Sequence, residues 1–257
     1  YKGSYTLPSF EEVRMELEKK PIREFKGRVI EVKRETPTTK TLVFDLRGVD
    51  FDFYPGQYVM LNVPYEGEVL KRAYSIASPP TQKDSLELTI KKVPNGRASA
   101  FLTEKVKEGD EFLIKGPYGK FVWVPQMGTS LVLIGAGSGI VPLMCILRYI
   151  VSAGLDHVRA TLLYSNTHYE EIIYREELER MDKHSNIKVV HTLTRSWPPD
   201  WKGYTGRINT DMILKEVEDI PTNLYYLCGP PQFVEDIASI LIELGVDKEQ
   251  IKKEKYD

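Results

Sequence analysis

Leu131-Val132-Leu133-Ile134-Gly135-Ala136-Gly137-Ser138-Gly139 is the stretch on which the fold turns. Four apolar residues in succession read as a strand buried on both faces, and the glycines behind them allow a sharp turn with bare backbone N–H groups. An apolar helix starting near Ile140 points its positive end at that turn, so Gly135, Gly137, Ser138 and Gly139 form a candidate cradle for a phosphate. The spacing departs from the full G-x-G-x-x-G, because position 140 is Ile and the third glycine comes one residue early. A glycine-rich turn serving only close packing is the competing reading.

Outward from this stretch the texture differs on the two sides. Downstream, strands over 131–134, 160–164, 187–193 and 224–227 alternate with helices over 140–152, 170–181, 211–217 and 232–244, which predicts a parallel sheet wrapped by helices. Upstream, from Lys26 to Gly116, short runs of period two such as Thr41–Leu46 and Leu86–Lys91 are separated by Pro55-Gly56, Pro79-Pro80 and Pro94-Asn95-Gly96. About six such strands predict an antiparallel Greek-key β-barrel. Residues 9–20, opened by Ser9 with Glu12 and stopped by Pro21, read as a helix. The expected organisation is a helical arm over residues 1–25, a barrel domain over 26–124 and an α/β domain over 125–257.

Composition narrows the partners. A chain of 257 residues with 42% hydrophobic content has room for two cores. With 35 Lys+Arg against 37 Asp+Glu there is no excess positive field for nucleic acid. Cys145 and Cys228 are too few for a four-thiolate cluster, so no metal site is expected. The longest apolar run, Ile140 to Val151, is interrupted by Arg148 and too short for a bilayer, and no signal peptide opens the sequence; a cytoplasmic protein is expected.

Three further segments carry chemistry. Arg72-Ala73-Tyr74-Ser75 combines a fork-shaped cation suited to pyrophosphate, an aromatic plane and a hydroxyl; an ordinary edge strand with an exposed Arg is the alternative. Gly96, Ala98 and Ser99 offer phosphate donors at the start of a short helix over 98–105. Cys228-Gly229-Pro230-Pro231 ends a predicted strand, where open parallel sheets bind ligands. Its thiol either touches a ligand ring or is a buried strand end, whereas Cys145 belongs to the core.

In this order the segments resemble the ferredoxin-NADP reductase family, in the bacterial-type branch with oxygenase reductases, flavodoxin reductases and cytochrome b5 reductase. The resemblance runs from about residue 26 to 256. It implies that Arg72, Tyr74 and Ser75 bind a flavin, FAD before FMN, and that Gly135, Gly137, Gly139 and Pro142 bind a nicotinamide dinucleotide. It further implies that Cys228 lies by the nicotinamide and Glu254 and Tyr256 by the flavin, so that Ser75, Cys228, Glu254 and Tyr256 surround the reacting rings. Asp257 follows the aromatic, a departure from members that end on it. The implied activity is hydride transfer from NAD(P)H to flavin, with electrons passed to a ferredoxin, flavodoxin or oxygenase component. A flavin reductase or NAD(P)H oxidase using small acceptors, and a non-catalytic electron-transfer subunit of a larger complex, are the alternatives. For the donor, Ser165-Asn166-Thr167-His168 at the expected tip of the second parallel strand carries no acid. Arg195 looks like the arginine that members using NADPH bring to the 2'-phosphate, with Arg207 assisting, so the reading leans to NADPH over NADH.

Overall fold

Residues 17–256 are described by a computed structural model. The first sheet comprises β1 (Arg23–Thr36), β2 (Thr39–Asp45), β3 (Tyr58–Tyr65), β4 (Glu68–Ser75), β5 (Ser85–Lys91) and β6 (Glu111–Tyr118). They pair antiparallel in the order β4-β3-β6-β1-β2-β5. Period-two patterning sends Leu42, Phe44, Leu86, Leu88 and Ile90 inward, where burial of each large apolar side chain contributes roughly 1.5–3 kcal/mol. The two edges meet just beyond β4: Ile76 bridges Leu88, and Ala77 N–H donates to the Glu87 carbonyl at 2.9 Å. This closes the barrel, and helix α1 (Arg97–Glu104) follows β5.

The second sheet contains β7 (Ser130–Ala136), β8 (Arg159–His168), β9 (Ile187–Ser196), β10 (Tyr204–Thr205), β11 (Leu224–Gly229) and β12 (Ile251–Lys255). All are parallel, in the order β10-β9-β8-β7-β11-β12. Leu131 and Leu133 pack with helices α2 (Ile140–Ser152) and α3 (Arg175–Met181) on one face. Val132 and Ile134 pack with α4 (Thr210–Glu216) and α5 (Pro231–Glu243) on the other, which is why the strand reads as unbroken apolar sequence. The chain leaves β7 in one direction through β8 and β9 and returns on the other side through β11 and β12. The carboxyl ends of β7 and β11 are therefore the switch point at which open parallel sheets take ligands.

Three expectations are corrected. The helix over 9–20 lies mostly outside the described residues, and its described end, 17–20, is not helical. The helix over 170–181 is two pieces, a 3₁₀ turn at Tyr169–Glu171 and α3, separated by Tyr174 at φ 61°. Ile172, Ile173 and Tyr174 are all drawn into the core, and a continuous helix would carry some of them to solvent. Finally, β8 does not end near 164 but runs to His168, paired with β9 as far as Ser196.

The barrel and the parallel sheet meet along the polar face of β5. Thr41 donates to Glu35 Oε1 at 2.8 Å, the Thr41 and Thr89 hydroxyls are 2.7 Å apart, and Thr89 bonds the hydroxyl of Tyr174 from the other layer. Replacing Thr89 with Val leaves two buried hydroxyls short of a partner and is expected to cost on the order of 1–3 kcal/mol, read as a lower urea midpoint; an unchanged midpoint would show the chain of hydroxyls to be idle.

Candidate functional site

A cleft of about 670 Å³ lies between the closing edge of the barrel and the switch point. Tyr58, Arg72, Ala73, Tyr74 and Ser75 line it from β3 and β4, and Thr89 and Lys91 from β5. The entry to α1 contributes Asn95 to Ser99, the glycine turn Ser138, α2 Val141, and the chain's end Glu254, Lys255 and Tyr256. Neighbours on a continuous strand, Tyr74 and Ser75 would face opposite sides; both reach the cleft because β4 ends at Ser75 and the chain bends into the Ile76 bridge.

Charge suits the cleft to an anion. Arg72, Lys91, Arg97 and Lys255 surround it, against the single carboxyl of Glu254. Helix α1 begins at Gly96 with no side-chain cap and no acid in its first turn, which leaves its first N–H groups for another acceptor. Ser99 faces the cleft with a hydroxyl already engaged, accepting from Val93 N–H at 3.1 Å. Lys91 and Arg97 were not legible in the sequence. Lys91 ends the buried polar face of β5, and its ammonium lies 3.9 Å from the Glu171 carboxylate and 3.6 Å from where a Cβ on Gly137 would stand. A barrel cation thus reaches the glycine turn.

Within that turn the glycines have distinct reasons. Gly137 has φ +56°, and its carbonyl accepts from the buried Tyr164 hydroxyl at 2.7 Å. Gly139 packs against β11 so closely that a Cβ would lie 2.2 Å from the Cys228 carbonyl oxygen. The packing reading therefore holds for Gly139 whatever the turn binds. Helix α2 likewise starts with no side-chain cap and no acid in its first turn.

Cys228 is fully buried and sits behind the cleft wall. Burial pushes its thiol well above the ordinary range, with the Glu254 charge adding to the effect. The Tyr256 hydroxyl bonds Ser75 Oγ and lies beside the Cys228 thiol, and Tyr256 N–H donates to the Gly229 carbonyl at 2.8 Å. Glu254, next to Cys228 in the β11–β12 register, has one carboxylate oxygen buried without a partner. Burial raises its pKa to about 7, with Lys252 opposing.

Gly135, Gly229 and Pro230 stand directly behind the lining, at the β7 and β11 tips. Ser165 does not: β8 continues past it to His168, and the residue is buried between Ala136 and Thr192. Of the four residues expected at the tip, it is the last, His168, that ends the strand. Arg195, on β9, and Arg207, after β10, are exposed, and neither has an ion-pair partner among the described residues. No group of His, Cys, Asp and Glu able to hold a metal occurs among the described residues, nor any helix long and apolar enough to cross a membrane.

Comparison with known proteins gives the same architecture. The profile of the oxidoreductase FAD-binding domain matches residues 26–123, and that of the oxidoreductase NAD-binding domain matches residues 133–239. The glycine betaine monooxygenase reductase subunit of Pseudomonas aeruginosa is 29% identical over 232 residues, covering 89% of this chain; the chain spans 63% of that protein's length. The NADH-cytochrome b5 reductase 2 of Lodderomyces elongisporus is 31% identical over 238 residues, covering 85% of this chain and 79% of its own. A ferredoxin NADP+ reductase from Neisseria gonorrhoeae, solved with bound FAD and NADP, superposes with a TM-score of 0.76 at 25% identity, over 90% of this chain and 98% of that one.

Two outcomes are expected. Gly139→Ala must push α2 from β11, at a cost of about 1–3 kcal/mol, visible as a lower melting temperature; a native melting curve would mean the turn gives way easily. Glu254 is protonated more readily folded than unfolded, so its contribution is intact below its ordinary 4.5 and is lost as pH rises toward 7. Urea unfolding at pH 5 and pH 8 should show Glu254→Gln gaining on the unaltered protein by up to the order of 3 kcal/mol at the higher pH. An equal difference at both pH values would contradict this.

Proposed function

This chain belongs to the ferredoxin-NADP reductase family of FAD-dependent NAD(P)H reductases, and on that premise we propose that it accepts hydride from NADPH and delivers electrons to a separate redox protein of the oxygenase or cytochrome type. The observation that carries this reading is the single cleft in which Arg72, Tyr74 and Ser75 of the barrel meet Ser138 of the glycine turn and Glu254 and Tyr256 of β12. When bound, FAD supplies the chemistry: it takes two electrons with the hydride and gives them up singly.

The chain's own residues orient and tune. Arg72, Arg97 and the open first turn of α1 hold the FAD pyrophosphate, while Tyr74 packs on the ring system and Ser75 bonds its edge. Gly137, Gly139 and the start of α2 receive the pyrophosphate of the second dinucleotide, with Lys91 reaching the same turn from the barrel. Tyr256 covers Cys228, so a nicotinamide reaches that thiol only after the Tyr256 side chain turns from Ser75 and Cys228. Glu254, at about 7, holds or releases a proton beside the reacting rings in the physiological range.

For the donor, Arg195 and Arg207, both exposed and without an ion-pair partner among the described residues, offer a 2'-phosphate charge-assisted hydrogen bonds of about 1.5–3 kcal/mol. NADH is the second reading, favoured by the resemblance to an NADH-cytochrome b5 reductase. Oxygenase reductase components among the similar proteins favour a protein acceptor over free flavin or oxygen. An anaerobic titration of the FAD-loaded protein with each nucleotide tests the donor: NADPH is expected to bleach the flavin at lower concentration, and Arg195→Ala to weaken NADPH by about tenfold or more with NADH little changed. Equal losses for both nucleotides would remove the preference.

A further inference from the structure

Hydride transfer requires two rings held by two different layers to face each other within a few tenths of an ångström, and a displacement of about 1 Å costs on the order of a hundredfold in rate. Something must therefore fix the barrel's flavin seat against the glycine turn. The cleft walls supply part of this, through Ser75 with Tyr256, Thr89 with Tyr174 and Lys91 with Glu171.

A second link lies along one face of α2. Cys145 Sγ donates to the Ser78 carbonyl at 3.2 Å, Arg148 Nη1 donates to the Ala77 carbonyl at 2.9 Å, and the Ser152 and Thr81 hydroxyls are 2.5 Å apart. Residues 145, 148 and 152 share a helix face by their spacing. Their partners lie within residues 77–81, just after Ser75, and that segment is itself locked to β5: Ala77 N–H bonds the Glu87 carbonyl and Glu87 N–H bonds Ser78 Oγ, both at 2.9 Å. Arg148 is in turn held from behind. Its Nε and Nη2 bond the two Glu177 oxygens at 2.8 and 2.7 Å, and its guanidinium lies 4.7 Å from the centre of the Tyr174 ring, the residue that breaks the helix before α3.

We propose that Arg148 is a positioning residue for hydride transfer: it fastens the helix that starts at the dinucleotide turn to the strand end that carries the flavin contacts. The mechanical path is short. Eight residues of rigid helix, about 12 Å, separate Arg148 from Ile140 at the turn, and two residues of locked backbone separate Ala77 from Ser75. The fork is what qualifies an arginine, because one end serves Glu177 of the sheet layer while the other serves the barrel carbonyl. Removing the side chain leaves both seats intact and lets the angle between them vary.

This inference rests on the reading of the chain as an FAD-dependent NAD(P)H reductase, and its test separates the two. Arg148→Met and Arg148→Lys are compared with the unaltered FAD-loaded chain in two measurements. One is the limiting rate of flavin reduction at saturating NADPH or NADH. The other is the distance distribution between nitroxides on Glu108→Cys of the barrel and Glu243→Cys at the end of α5, the two native thiols being fully buried. Arg148→Met is expected to slow the limiting rate by about tenfold to a hundredfold, to leave the dinucleotide Kd and the flavin content within about twofold, and to broaden the distance distribution. Arg148→Lys regains part of both, since a single ammonium reaches one partner at a time. A native limiting rate with a native distribution in Arg148→Met overturns the proposal. Should that variant lose its flavin, Arg148→Lys decides alone: an intermediate rate with a broadened distribution supports the proposal, and native values overturn it. Failure of the unaltered chain to be reduced by either nucleotide refutes the functional reading instead.

Discussion

Backbone of one strand pressed against backbone of a turn is the contact the site depends on. Gly139 meets the Cys228–Gly229 peptide at a distance no side chain tolerates, and this brings the tips of β7 and β11 together at the point where the sheet reverses its direction of growth. Everything functional in the second layer is arranged about that contact. The uncapped start of α2 lies on one side, and the buried thiol with its tyrosine cover lies on the other.

The barrel contributes a complementary constraint. Its seam is closed by one bridge and a few backbone bonds after Ser75, so the segment that lines the cleft is also the segment that finishes the cylinder. Because that seam faces α2, the same few residues serve closure, the cleft wall and attachment to the neighbouring layer. The polar face of β5, which an isolated barrel would turn to water, instead joins the layers through Thr89 and Lys91.

Much of this was legible in the amino-acid sequence, for definite reasons. The apolar run before Gly135 and the alternation in β2 and β5 are driven by burial, which acts locally and leaves a periodic trace. Arg72, Tyr74, Ser75 and Ser138 could be singled out by residue type and order, Glu254 and Tyr256 only through the family resemblance, and all six line one cleft. Other features depend on contacts far apart in the chain. Lys91 and Arg97 look like ordinary surface cations until α1 and the glycine turn fold over the barrel. The left-handed Tyr174 hides inside a helical pattern because its cause is the burial of three consecutive side chains. The extra length of β8 comes from its pairing with β9, which no window of β8 alone contains, and so Ser165 was read as a tip when it is an interior residue.

The position of β12 has a consequence for how the molecule behaves in company. Among the described residues it is the outermost strand of the parallel sheet, pairing with β11 on one side, the kind of edge at which another chain can add a strand. Lys252, Lys253 and Lys255 populate this five-residue edge, and Lys253 and Lys255 share Glu235 of α5. The strand that carries Glu254 and Tyr256 to the cleft is thereby guarded, because charged side chains, lysines above all, blunt a sheet edge against edge-to-edge pairing.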